Sequence, residues 1–215
     1  MTINVSILPT MFQAISDVIE KNAEEVTALD QAIGDGDHVY NLRRGIKALL
    51  EQGEDEMQLD WAAVLQKIGM TLMSTVGGAS GSLYGTLFVT MSKSVRDRSL
   101  DQSTFAEAFS EGVGSVKKRG KADAGEKTML DVLIPVADCL QAEAAASSPL
   151  PDVLEKISEV AVEGMESTRD MVATKGRASF LGERSKGHID AGAKTAQLII
   201  CEIANVLSKE STAPS

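Results

Sequence analysis

The sequence predicts an all-α fold, a bundle of about eight helices, and three observations carry that expectation. Hydrophobic residues make up 43% of the 215 positions but aromatics only 4%. Leu, Ile, Val, Ala and Met must therefore fill the core, and the aromatic and β-branched runs that strands prefer are scarce. Apolar residues recur at helical spacing, and turn and cap residues fall where helices of ordinary length would start and stop.

The first predicted helix spans 8–27, with Phe12, Ile15 and Ile19 at i, i+3 and i+7 and Val18 beside them. A second follows over 39–52. The third, 60–75, has Asp60 as a cap in front of Trp61. The fourth covers 80–97. Its stretch 83–91 has the composition of a buried strand, but its length and its neighbours favour helix. The fifth, 103–119, takes Ser103 or Thr104 as its cap and shows one apolar stripe, Phe105, Phe109, Val113 and Val116. The sixth spans 127–146. The seventh, 150–174, opens with Pro151 in its first turn, where proline is tolerated, and carries Leu154, Ile157, Ala161 and Gly164 on one face. The eighth spans 190–208, ahead of a frayed tail from Ser208 to Ser215. No internal repeat or long linker interrupts the series. The small, polar stretch 144–151 suits a helix–helix loop, so residues 1–215 read as one domain.

The formal net charge of −10 gives the chain no electrostatic reason to bind nucleic acid or an anionic membrane. No stretch reaches the ~18 apolar residues of a membrane span. Met1 to Met11 lacks the basic start and apolar core of a signal peptide. Cys139 and Cys201 sit in apolar helical surroundings and read as two buried free thiols in a reducing compartment. The expected location is the cytoplasm.

Glycine and charged residues gather in four stretches between helices, 30–45, 76–86, 119–131 and 176–195. These follow alternate helices, so an antiparallel bundle brings them to one end. The first stretch, Asp30-Gln31-Ala32-Ile33-Gly34-Asp35-Gly36-Asp37-His38-Val39-Tyr40-Asn41, places three carboxylates within eight positions. Gly34 and Gly36 allow sharp turns, so Asp30, Asp35 and Asp37 can converge. Converging carboxylates repel unless a cation lies between them, and hard oxygen ligands select Mg²⁺ or Ca²⁺. An EF-hand would need Asp or Asn at 39, Gly at 40 and Glu at 46; Val39, Tyr40 and Ile46 exclude it. Mg²⁺ on a few carboxylates commonly completes its shell with water and phosphate oxygens, which points to a nucleotide. The plainer alternative is an acidic turn that caps the next helix. The third aspartate, with His38 and Asn41 beside it, favours the cation.

The second stretch, Gly77-Gly78-Ala79-Ser80-Gly81-Ser82, precedes a helix, so its amides can meet an anion, or else it serves close packing. The third, Gly120-Lys121-Ala122-Asp123-Ala124-Gly125-Glu126-Lys127-Thr128, nearly mimics a P-loop. Glu126 intrudes before Lys127, and a helix rather than a strand precedes the segment, so that reading is rejected. The fourth runs from Gly176 to Ala193. Its Arg177, Arg184 and Lys186 could compensate phosphate charge, and Asp190 could cap the last helix. The chain's two histidines, His38 and His188, both lie in these loops.

Taken in order, the four stretches resemble the nucleotide-binding L subunit of dihydroxyacetone kinases. That family reads approximately D-x-x-I-G-D-x-D-H-G-x-N, then G-G-A-S-G, then R-G-K-A-x-x-G-x-K-T-M-x-D, then G-R-A-S-x-L-G-E-R-S-x-G-x-x-D-P-G-A. The resemblance spans residues 30–195. It implies an eight-helix antiparallel barrel with ADP or ATP at its loop end. It implies two Mg²⁺ ions held by Asp30, Asp35 and Asp37, which would act with Arg177 in phosphoryl transfer. It implies nucleotide contacts from His38, Val39, Tyr40 and Asn41, from Gly78, Ala79 and Ser80, and from Gly120, Met129 and Arg177. The Asp190, Ala191 and Gly192 turn would close over the nucleotide. The implied partner is a separate K-type subunit that carries the ketose. The donor would be ATP or a phosphocarrier protein of the phosphotransferase system, and a homodimer is left open.

Two positions depart from the pattern. Val39 replaces the family's glycine and places a side chain where the backbone should approach phosphate closely. Ala191 replaces its proline. These departures keep a second reading in view, an ADP-binding regulatory L-type protein without kinase turnover. A third reading, a metal-dependent phosphatase, would leave the glycine and arginine loops without a role.

Overall fold

In the computed structural model the described residues are 4–52 and 59–212. Met1–Ile3 of the N-terminal stretch and Ala213–Ser215 of the expected tail lie outside them. The described residues form nine α-helices with three short 3-10 segments and no strand. The helices are α1 (Leu8–Lys21), α2 (Ala23–Ile33), α3 (His38–Leu50), α4 (Trp61–Thr75), α5 (Gly78–Ser94), α6 (Gln102–Gly120), α7 (Leu130–Ala146), α8 (Leu150–Ser167) and α9 (Ala191–Thr212).

The all-α expectation is met, with local corrections. The helix expected over 8–27 is two helices, α1 and α2, joined at Asn22. Its backbone leaves the helical region (φ −104, ψ 9), and its side-chain amide donates to the Val18 carbonyl at 2.7 Å. That side-chain bond competes with the helix ladder. As a result Asp30 lies in the last turn of α2 rather than in a loop. Asp60 caps α4 as expected, accepting from the Ala63 amide at 2.7 Å. The cap of α6 is Asp101 and neither Ser103 nor Thr104; its carboxylate accepts from the Thr104 amide at 2.8 Å. The strand-like stretch 83–91 is helical, within α5. The helix expected over 150–174 stops at Ser167 and continues only as a 3-10 turn, Thr168–Asp170. The expected fray at 208 does not occur within the described residues, where α9 runs to Thr212. Both thiols are free, but Cys201 is only partly buried.

Each long helix packs on its neighbour in the chain, and α9 returns to pack on α1. The ring of neighbours α1–α3–α4–α5–α6–α7–α8–α9 thus closes, with α2 lying against α3 and α9. Every rod buries a helical stripe. On α3 the buried apolar side chains are Val39, Leu42, Ile46 and Leu49; on α8 they include Leu154, Ile157 and Ala161. Helices α4 and α5 approach most closely through glycine. A Cβ on Gly69 would lie 2.9 Å from the Gly85 carbonyl, and one on Gly85 would lie 2.8 Å from the Gly69 carbonyl. Among the described residues no helix is long and apolar enough to cross a membrane.

Candidate functional site

The connections α2–α3, α4–α5, α6–α7 and α8–α9 meet at one end of the ring, as their contacts show. Asp30, Asp35 and Asp37 each bring a carboxylate oxygen within 4.8 Å of the other two. Two features of the backbone produce this convergence. A side chain at position 34 would run into the Asp30 carboxylate, so Gly34 is what lets Asp30 lie across the end of α2. Gly36 turns the chain through φ +76, a conformation L side chains rarely adopt. Asp37 holds the cap position of α3 yet makes no side-chain cap bond, which leaves its carboxylate available. The Asp30 carboxylate accepts instead from the His38 amide, at 3.1 Å.

Three carboxylates this close need positive charge. Here Arg177 provides part of it, its Nε lying 2.6 Å from Asp35 Oδ2. The same three hard oxygen donors suit a divalent cation such as Mg²⁺. The fit is supported by the free Asp37 carboxylate and by the exposure of Asp35 and Asp37 to solvent, from which a hydrated ion and its phosphate ligands could enter.

His38 connects the cluster to the last helix. Its Nε2 lies 2.9 Å from Thr195 Oγ1, and Thr195 donates its hydroxyl proton to the Gly192 carbonyl at 3.1 Å. His38 Nε2 is therefore the donor, and its Nδ1 is left as an acceptor facing Ser80 Oγ at 3.5 Å. Burial lowers the His38 pKa, against the pull of Asp30 and Asp37 in the other direction. No side chain caps α5, so the first amides of that helix, at Gly78, Ala79 and Ser80, remain open to an anion. Gly78 has φ +65. Gly77 before it can have no side chain, because Asn41 Oδ1 and the Arg44 guanidinium occupy that space. Asn41 is buried and accepts from Arg44 at 3.0 Å, and the Arg44 guanidinium sits 5.3 Å from the centre of the exposed Tyr40 ring.

The remaining expected residues form a second group. Asp190 caps α9, accepting from the Ala193 amide at 2.8 Å. It keeps some exposed surface, yet the protein packed around it pushes its pKa from the ordinary 3.8 up to about 6. Gly192 faces Met129, whose Cβ would lie 3.7 Å from a Cβ at that position. Thr195 ties this group to His38. Gly120 ends α6 against Leu83 of α5, apart from this hydrogen-bonded group. Of the other basic candidates, Lys186 pairs with Glu183 at 2.8 Å.

The two departures acquire a physical reading. Val39 is only 3% exposed and its side chain packs in the main core. Ala191 occupies the first position of α9, where proline and alanine are both accepted. Three buried residues were given no role in the sequence reading, although Lys127 and Asp131 fall within the third stretch. Thr195 is one. Asp131 accepts from the Gly125 amide at 2.5 Å and the Thr128 amide at 2.7 Å, and Lys127 lies wholly inside. Their partners are far away in the chain or are main-chain groups, and neither leaves a trace in spacing.

A closed ring of helices, with clustered carboxylates and an uncapped helix N-terminus at one end, defines an all-α protein with an elaborated face built from its alternate loops. A family model, the DAK2 domain, matches residues 32–205, and the chain belongs to that family. It is 42% identical over 181 residues to the PEP-dependent dihydroxyacetone kinase 1, ADP-binding subunit DhaL, of Listeria innocua, covering 84% of this chain and 86% of that one. It is 40% identical over 195 residues to the PEP-dependent dihydroxyacetone kinase, ADP-binding subunit DhaL, of Escherichia coli, covering 90% and 92%. Among solved structures, the dihydroxyacetone kinase from C. freundii in complex with AMP-PNP and Mg²⁺ shares the fold, with a TM-score of 0.72 and 22% identity. The match covers 95% of this chain and 34% of that one.

Proposed function

We propose that this chain is the nucleotide-holding subunit of a dihydroxyacetone-type kinase, and that residues 1–215 work as one L-type domain. It would bind ADP or ATP with two Mg²⁺ ions and pass a phosphoryl group to a ketose held on a separate K-type subunit in the cytoplasm. The observation that carries this reading is the convergence of Asp30, Asp35 and Asp37 within 4.8 Å, beside the open N-terminus of α5. The near full-length match to two ADP-binding subunits supports it.

Phosphoryl transfer depends on positioning and on neutralising charge, with little covalent work for the protein. Mg²⁺, when bound, would supply neutralisation of the phosphate charge. The three aspartates would hold it, and the amides of Gly78, Ala79 and Ser80 would receive phosphate oxygens. His38, its proton fixed on Nε2 by Thr195, would keep Nδ1 and Ser80 in register at the same place. Arg177, 71% exposed along its side chain, is free to turn from Asp35 to a phosphate. Gly120, Met129 and the Asp190–Gly192 turn would line the rest of the nucleotide.

The test is reconstitution. The chain, a K-type ketose-binding subunit, and the two together are assayed for phosphorylation of dihydroxyacetone, with ATP or with a phosphoenolpyruvate-charged phosphocarrier protein as donor. Product only when both are present is expected. Product from this chain alone would contradict the two-subunit reading.

A further inference from the structure

Lys127, whose place in the near-P-loop sequence gave it no role, has an unusual position. Its side chain is 1% exposed, and it is the largest among the fully buried side chains of the described residues. Lysine is almost never buried to this degree without a specific partner. Its backbone adopts φ +60, a conformation kept by a non-glycine residue only where the surroundings enforce it. The ammonium forms no bond to Asp30, Asp35 or Asp37. It donates to the carbonyls of Thr168 and His188, which lie at the two ends of the long connection between α8 and α9.

Other bonds close the same neck. The Gly187 amide donates to the Arg169 carbonyl at 2.8 Å, and the Asp190 amide to Thr168 Oγ1 at 3.1 Å. The segment 169–187 thus leaves and returns at one point, in the manner of an Ω-loop. It has a small core of its own, Ala173 and Ala178 with Leu181, packed on Ile33 of α2. Ser185 staples it internally, accepting from the Ala173 amide at 2.9 Å. Arg177 is carried on this loop and reaches Asp35 from it. An apolar side chain of similar length would fill the same space without the cost of burying an ammonium. Space filling therefore does not account for a lysine here.

We propose that Lys127 is a positioning residue for the nucleotide site: its ammonium clasps the neck of the 169–187 loop and so holds Arg177 at the carboxylate cluster. This rests on the nucleotide reading given above for the consequence, but not for the clasp itself. Burial lowers the pKa of Lys127 while Asp190 and Asp170 raise it, so the nearby carboxylates help keep the clasp charged.

Lys127→Met tests it with two readouts. In nucleotide-free protein, hydrogen exchange should accelerate across 169–187, including Gly187, while the core amides of the helices stay as in the wild type. In Mg-ADP titrations the affinity should fall about tenfold, the scale of one charge-assisted hydrogen bond. Arg177→Ala should then cost less in the Lys127→Met background than in the wild type, because the two act through one loop. Loop exchange equal to wild type overturns the proposal, as does full additivity with Arg177→Ala. Should Lys127→Met fail to fold, Lys127→Leu, a smaller apolar side chain that likewise removes the ammonium donated to the Thr168 and His188 carbonyls, is measured in the same two ways, and the same outcomes support or overturn the clasp. A wild-type chain that binds no Mg-ADP would remove the nucleotide reading, and the exchange experiment would still decide the clasp.

Discussion

Gly34 shows how a single residue sets the site. Its missing side chain is the space in which the Asp30 carboxylate lies, so Gly34→Ala should displace that carboxylate. The expected outcome is at least a tenfold loss of Mg-dependent ADP affinity with an unchanged helical circular dichroism spectrum. At this scale the carboxylates were legible because aspartates and turn-making glycines alternate within a few positions. The side-chain direction of Val39 was not. It follows from the start of α3 at His38, which turns the next residue into the core. Lys127 and Thr195 were illegible for another reason. Lys127 binds carbonyls 41 and 61 positions away, and Thr195 meets His38 across 157 positions. Such pairings are set by loop closure, which local pattern does not encode.

Helices reproduce the sequence reading more closely than their ends do. The stripes of α1, α6 and α8 were readable because each buries one face at a period of 3.6 residues. Boundaries moved where a side chain competed for the backbone, as at Asn22 and Asp101. The close approach of α4 and α5 was hidden, since a glycine inside a helix reads as a weak position until its neighbour is known. Here Gly85→Ala would press a methyl group onto the Gly69 carbonyl and Met73. Denaturant unfolding should show about 1–3 kcal/mol of lost stability, the range for overpacking. A change within about 0.3 kcal/mol would mean that the two helices can separate freely.

Across the whole molecule, the alternation of glycine-rich, charged loops led to the expectation that these loops meet at one end of the bundle, and bonds such as His38–Thr195, Arg177–Asp35 and Lys127–Thr168 bring them together. The Asp190 cap gives that end a pH signature. Its pKa is raised from 3.8 to about 6 by burial, so the folded state holds its proton more tightly than the unfolded chain. Its ionisation therefore removes stability as pH rises from about 4 to 6. An asparagine side chain at this position could still cap α9 but would not ionise. In metal-free protein, Asp190→Asn should raise the melting temperature relative to wild type more at pH 7.5 than at pH 4.5. An equal difference at both values would mean that the carboxyl is not desolvated.

Calorimetric titration of ADP in the presence of Mg²⁺ tests most directly whether the acidic loop is the metal–nucleotide site. Wild-type protein should bind, and binding should vanish with a chelator and fall by at least a hundredfold in Asp35→Asn, which removes one of the three charges in the cluster. Binding that survives both treatments would place the nucleotide elsewhere, and no binding by folded, Mg²⁺-loaded wild type would contradict the assignment outright.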